Sequence, residues 1–462
     1  MSAQSSDDLR QLQAIVGSSN VLHDSADCWP YGYDNSRRHS LPDFVVFPES
    51  HEHVVQLVQF CNQQKLPVLA RGRGTGTTGS CVPIHKGLVI SFEKMDRILK
   101  VDPDNRIIVC QPGVTNGHLQ QAAGEHGFFW PPDPTSSAFC SIGGNLAFNS
   151  AGPRTVKYGT PRDNTLGLRI VTGSGESLRT GVYTSKGVVG YDLTRLIIGS
   201  EGTLAIITEA TLKLTPCAQT KRTLRVIYQT MGDAARAVSR IMAQPVTPCA
   251  LEFIDQTAIE MIRDYSQAEL PNNAGALLMI EVDGLESSMN ASVHAIEQAA
   301  SGEGLLEFTL AKTQDEVNAL WATRKALSPA LRNVAPKKIN EDIVVPVSNM
   351  GKLIDGLNAL SQKHTIKIVN FGHAGNGNIH VNLLTNPDIP AEQERAEQCL
   401  HDVFKLVLSL QGTLSGEHGV GLEKRDFIHL ELDDTAVKLM KAIKAQFDPL
   451  NILNPDKALP LT

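Results

Sequence analysis

The chain has 462 residues, 42% of them apolar, and carries a formal net charge of −7 with an isoelectric point near 6.1. That length holds two or three packed domains at roughly 150 residues each, and dispersed lysines and arginines on an acidic chain exclude a broad nucleic-acid surface. Eight cysteines without a C-x-x-C pair exclude a zinc knuckle, an iron–sulfur cluster and a disulfide framework, and they point to a reducing compartment. The opening MSAQSSDDLRQLQAIVG has Asp7 and Asp8 where a secretion signal carries positive charge, and no apolar run reaches the ~18 residues needed to cross a bilayer. A cytoplasmic protein is expected, with peripheral contact to the inner membrane allowed.

In chain order, HEHVVQLVQFCNQQK places Val54, Leu57, Val58 and Cys61 at helical spacing, and LPVLA reads as a buried strand. The loop RGRGTGTTG follows, in which Gly74, Gly76 and Gly79 spell G-x-G-x-x-G. A dinucleotide fingerprint needs a helix opening inside it. Here Pro83 and Gly87 lead instead into the β-branched LVISF, so the loop holds its ligand with bare backbone N–H groups and no helix directly behind it. From 88 to 111 two strands are expected, LVISF and RIIVCQPG, and NGHLQQAAGEHG then reads as a helix closed by Gly127. Residues 130–165 are rich in Pro, Gly, Ser and Asn and predict a long ordered loop system of functional use. LGLRIVTGSGE and GTLAIITEATLKLTP are β-rich. From about 221, strands such as RTLRVIYQT, ALEFID and AGALLMIEVDG alternate with amphipathic helices, which predicts an α+β second domain. A helix at 391–410 buries Leu400, Val403, Phe404, Val407 and Leu408, and the Pro-punctuated tail FDPLNILNPDKALP is expected to return to the first domain.

Two stretches carry chemistry. In NFGHAGNGNIHVNLL a tight turn brings His373 toward His380, with His380 and Asn382 on one strand face and Ile379, Val381 and Leu383 on the other. In LSGEHGVG, Glu417 and His418 stand between glycines after a helix end. Two imidazoles and one carboxylate form a three-ligand set with open positions, suited to Zn, Mn or Fe(II) and to a substrate oxygen. The bland alternative is ordinary polar side chains at a helix terminus. Arg324, with Ser328 one helical turn on, offers a forked donor to a carboxylate, and Lys338 offers a second cation.

The motifs PVLARGRGTGTTGSCVP, PPDPTSSAFCSIGGNLAFNSAGPRTVKYGTPRDNTLGL, GYDLTRLIIGSEGTLAIITEATLKL, NFGHAGNGNIHVNLL, SGEHGVG and FDPLNILNP span about 43 to 457. Together they resemble the flavoproteins of the vanillyl-alcohol oxidase superfamily with a PCMH-type FAD domain, in the group of D-lactate and D-2-hydroxyglutarate dehydrogenases and the glycolate oxidase flavin subunit. The resemblance implies an α+β fold: a helical segment at 1–42, a two-part FAD domain at 43–220, an α+β, ferredoxin-like substrate or cap domain with the metal site at 221–420, and a segment at 421–462 returning to the FAD domain.

It also implies non-covalent FAD, cradled by Arg71, Gly72, Gly74, Thr75 and Gly76, lined by Pro132, Ser141, Gly143, Gly144 and Asn145, flanked by Glu201, Gly202 and Ile207, and closed by Asn454. NAD is not implied. One divalent metal, zinc ahead of manganese or iron, would rest on His373, His380 and Glu417. His418 would be the base, Arg324 would hold the substrate carboxylate, and Ser328, Lys338 and Asn382 would stand near the substrate. The family usually has Gly at Arg73 and at Asp456. The implied reaction oxidises a D-2-hydroxy acid by hydride transfer to flavin N5; a second cation for a distal carboxylate would suit D-2-hydroxyglutarate or D-malate, but the lysines of KKINEDIVVP stand beside Glu341 and Asp342, which favours D-lactate, with glycolate the substrate of one implied relative. Quinone, a cytochrome or an electron-transfer flavoprotein would take the electrons; a homodimer is allowed, as is a flavin subunit that needs partner chains. A metal-dependent hydrolase is the reading of a different class.

Overall fold

The computed structural model describes residues 3–263 and 270–461. The chain divides into two compact units, 1–151 with 159–217 and 417–462, and 152–158 with 218–416.

In the first unit, Ser50 Oγ accepts the His53 N–H at 3.1 Å and starts helix α1, His51–Gln64, which ends at Lys65 in the left-handed region. Its buried Val54, Leu57 and Val58 pack on strands Phe44–Val46 (β1), Val68–Arg71 (β2) and Leu88–Ser91 (β3), which run parallel in the order β1-β3-β2. Each such side chain taken fully out of water contributes about 1.5–3 kcal/mol. A second, antiparallel sheet joins Ile98–Asp102 (β4), Ile107–Cys110 (β5), Thr165–Thr172 (β6), Ser177–Gly181 (β7) and Ala205–Lys213 (β8) in the order β4-β5-β8-β6-β7. Strand β4 escaped the sequence reading because its ILKVD sets Lys100 and Asp102 among only three apolar residues beside a turn, leaving no apolar run longer than two. The segment 130–165, expected to be loop, contains a helix, Ile142–Phe148 (α2), opened by Ser141, whose Oγ accepts the Gly144 N–H at 3.3 Å. Its two glycines hide it from a pattern based on helix propensity.

The tail belongs to the first unit. The Val68 N–H donates to Ile452 O at 2.8 Å and the Asn454 N–H donates to Val68 O at 2.7 Å, so residues 452–454 extend the edge of β2. Asp456, where the resemblance leads one to expect Gly, has φ +61°, and its carboxylate meets His85 Nε2 at 2.6 Å. A non-glycine residue in that region is strained, and this contact holds the Asp456 side chain there.

The second unit is a seven-stranded antiparallel sheet of Thr220–Tyr228 (β9), Ala250–Asp255 (β10), Ala276–Gly284 (β11), Leu305–Leu310 (β12), Lys337–Val344 (β13), Lys367–His373 (β14) and Asn378–Thr385 (β15), ordered β12-β9-β11-β10-β14-β15-β13. One face packs Ile227, Ile254, Leu277, Met279, Val369 and Phe371 against Ala258 and Ile259 of helix α3, Gln256–Ile262, and Leu327 and Leu331 of helix α4, Gln314–Val334. Every strand alternates, and helices Met231–Ala243, Glu286–Ala300, Met350–His364 and Pro390–Ser409 lie against the sheet's other face. Among the described residues no helix is long and apolar enough to cross a membrane.

Candidate active site

The first unit carries a partly open cleft lined by bare backbone and small side chains at Gly72, Ser141, Gly143, Gly144 and Gly202, with Glu201, Ile207, Phe92 and Phe148 as walls. Two of its glycines have no room for a side chain. A Cβ at Gly72 would run into Ser141 Oγ, and one at Gly143 would lie 2.7 Å from the Pro112 ring and 3.1 Å from its carbonyl. The glycine loop and the start of α2 therefore meet with only backbone between them, so a helix start does reach the loop, supplied by a segment 70 residues later. Cys81 also lines the cleft, and burial pushes its thiol up to about 11, so it stays protonated.

Arg71 lines the same cleft, and Thr75, Gly76, Pro132, Asn145 and Asn454 lie around it. Arg71 turns its guanidinium to Tyr33 O at 2.7 Å, under Gly74, which has φ +64°. The backbones of Thr75 and Gly76 are held by Asn35 at 3.2 and 2.8 Å. Asn116 Nδ2 bridges Pro132 O at 3.0 Å and Asn145 Oδ1 at 3.1 Å. Asn454 Nδ2 donates to Glu201 O at 2.8 Å and Ser80 O at 3.1 Å.

Glu201 contributes more than a wall. Its buried carboxylate accepts the Val420 N–H at 2.6 Å, the Gly421 N–H at 2.9 Å and the Ser80 hydroxyl. Burial pushes its pKa up against these donors. The carboxylate thus grips the chain two and three residues beyond His418, while Thr78 Oγ1 reaches His418 O at 3.4 Å.

In the second unit the turn after β14 brings His373 and His380 edge to face, ring centroids 5.3 Å apart. Register explains the rest of the row: Glu252 lies opposite His373, Phe371 opposite His380, and His380 opposite Asp342. Glu252, buried on β10, meets His373 Nδ1 at 2.5 Å through one oxygen and Arg324 Nε and Nη2 at 2.9 Å through the other. Burial raises its pKa, but His373 and Arg324 together outweigh burial and hold the carboxyl below its usual range. Arg324 comes from α4 and stacks over the Phe371 ring at 4.8 Å.

On the other flank, Asp342 accepts the Gly416 N–H at 2.9 Å and the Ser415 hydroxyl at 3.2 Å, and Thr413 pairs with Val344. Residues 413–416 therefore extend the sheet beside β13, and Glu417 is the next residue. His373, His380 and Glu417 offer ligand atoms all within 4.8 Å of one another. With its Nδ1 facing Glu252, His373 presents Nε2. Asn382 sits fully buried on the same face as His380, its amide nitrogen on Val369 O and His380 O and its Oδ1 without a protein partner. Lys338 shares that face of β13 with Asn340 and Asp342, opposite Leu384. The Ser328 side chain lies outside the described residues.

Sequence reasoning missed Glu252 altogether and, although Asp342 stood out as an acid in KKINEDIVVP, missed that it faces His380 and Gly416; both roles become visible only through strand pairing. A small apolar cavity beside Arg324 was also invisible. It is lined by Ile254, Leu277, Met279 and Leu320, with Arg225 paired to Glu307 at 3.1 Å.

Residues 218–458 match the family of FAD linked oxidases, C-terminal domain, and residues 42–181 match an FAD binding domain. The chain is 39% identical to the glycolate oxidase subunit GlcD of Bacillus subtilis, over 97% of this chain and 95% of that protein. It is 32% identical to the mitochondrial D-lactate dehydrogenase [cytochrome] of Arabidopsis thaliana, over 98% and 80%. Its fold superposes on p-cresol methylhydroxylase with a TM-score of 0.80 at 19% identity, covering 100% of this chain and 98% of that one.

Proposed function

Since the chain belongs to the FAD-linked oxidases and is an FAD-linked oxidoreductase, we propose that it oxidises a D-2-hydroxy acid, D-lactate foremost, to the 2-oxo acid with non-covalent FAD and one divalent metal ion. The observation that carries the metal is the trio His373, His380 and Glu417, with His373 held by the buried Glu252. Two imidazoles and a carboxylate leave coordination positions open and suit zinc first. The glycine-lined cleft supports FAD by the same kind of argument: Gly72 and Gly143 line it and neither position has room for a side chain, so close-packed backbone is left to face the ligand.

When bound, FAD supplies the hydride acceptor and the cation supplies the charge that favours an ionised substrate hydroxyl. The chain's own residues do the rest. Arg324 spends Nε and Nη2 on Glu252, which leaves Nη1 for the substrate carboxylate. The buried Asn382 Oδ1 offers an acceptor beside His380. His418 takes the hydroxyl proton on an imidazole nitrogen as the C2 hydrogen leaves with its electron pair. Lys338 is a further candidate to contact the substrate.

The electrons leave to a quinone, a cytochrome or a flavoprotein partner; one relative is named as a subunit and another for its cytochrome. A hydrolase built on the same metal ligands would leave the glycine-lined cleft without a use. Metal analysis tests the reading: the wild-type protein is expected to hold one zinc per chain and His380→Ala to hold none while keeping FAD. Wild-type metal content in the variant would contradict it.

A further inference from the structure

We propose that Glu252 is a positioning residue that couples the two halves of the site, fixing the metal-facing orientation of His373 and the substrate-facing orientation of Arg324 through one buried carboxylate. This rests on the reading of the site given above. The geometry is specific: one oxygen meets His373 Nδ1 at 2.5 Å and the other takes both Nε and Nη2 of Arg324 at 2.9 Å. Glu252 is 1% exposed and three strands and a helix converge on it, since β10 pairs with β14 on one side and β11 on the other while α4 brings Arg324.

A carboxylate can accept at both ends. A glutamine cannot, because its amide nitrogen must face one of the two donors, so either the imidazole or the guanidinium loses its partner. With Nδ1–H held by Glu252, the lone pair of His373 stays on Nε2, where a metal is expected; an imidazole released from that contact can take the other tautomer or rotate. Arg324 released from Glu252 keeps, among the described residues, its stacking on Phe371.

The test uses the full-length holoprotein as Glu252→Gln, Arg324→Ala and the double variant, with His380→Ala as control. FAD content and Tm establish folding; zinc affinity by competition with a chromogenic chelator and the kcat–KM split for D-lactate are the readouts. Glu252→Gln is expected to keep FAD, to lose about 10- to 100-fold in zinc affinity, and to raise KM. Arg324→Ala is expected to raise KM with zinc affinity intact, and the double variant to raise KM by less than the product of the single effects. If His380→Ala lowers zinc affinity but Glu252→Gln leaves both zinc affinity and KM at wild-type values, the coupling is wrong and the metal site stands. If His380→Ala leaves zinc affinity unchanged, the metal site itself is wrong and the coupling falls with it. A Glu252→Gln protein that cannot be folded is replaced by Glu252→Asp, whose shorter stem cannot span both partners and carries the same expectations.

Discussion

Replacing Glu201 by glutamine separates holding the cofactor from holding the loop that carries His418, the proposed base. The carboxylate accepts the Val420 N–H through one oxygen at 2.6 Å, and through the other the Gly421 N–H at 2.9 Å and the Ser80 hydroxyl. Glutamine has one oxygen, so in either orientation its amide nitrogen faces a backbone N–H. Leaving one buried donor unmet costs about 1–3 kcal/mol, equivalent to about 5- to 150-fold in the population of the correctly placed loop. Because Val420 and Gly421 lie two and three residues past His418, that loss falls on kcat. Glu201→Gln is expected to keep FAD absorbance per chain near wild type and to lower kcat for D-lactate, measured per bound flavin, by about tenfold or more. Unchanged kcat per flavin with reduced FAD occupancy would refute the reasoning and make Glu201 a cofactor residue alone.

Gly143→Ala brings a methyl group 2.7 Å from the Pro112 ring, which cannot rotate away. Overpacking of about 1–3 kcal/mol is expected to appear as weaker FAD retention on dilution, and retention equal to wild type would mean that α2 shifts freely. Lys457, buried against Ser80 O, Val82 O and Asn454 Oδ1, is pushed down to about 8 by burial despite the nearby Cys81, Asp34 and Glu201. A base with a lowered folded pKa binds fewer protons folded than unfolded, so its contribution to stability rises with pH between about 8 and 10.4 and is withdrawn as pH falls through 8. Across that window wild type is expected to gain up to about 3 kcal/mol relative to Lys457→Met in chemical unfolding; parallel curves would contradict the burial argument.

The sequence made the chemistry legible where it is local. Gly377 and the asparagines of the NFGHAGNGNIHVNLL turn set His373 against His380 within eight residues, and the glycines around Glu417 and His418 marked a constrained loop. The partners that orient these groups were not legible, because antiparallel register is written in no local pattern. Glu252 reaches His373 across 121 residues of chain, and Asp342 reaches Gly416 across 74. The same holds for strands. Leu305–Leu310 was not read as a strand, since LLEFTL is short and follows a glycine-rich turn, and it earns its place only by pairing with β9. The glycine loop was read correctly as backbone leading into a strand, yet the α2 start that meets it lay in a segment whose Pro, Gly and Ser content looked like loop.

The central claim is that one substrate class, one flavin and one metal ion act together on this chain. Its most direct test is an anaerobic absorbance spectrum of the purified protein before and after D-lactate, then D-2-hydroxyglutarate, D-malate, glycolate and L-lactate, with chelator-treated protein alongside. The account predicts that the flavin band bleaches with D-lactate, not with L-lactate, and that metal removal prevents the bleaching while the flavin stays bound. Bleaching that survives complete metal removal, or a flavin that no D-2-hydroxy acid reduces, would contradict it.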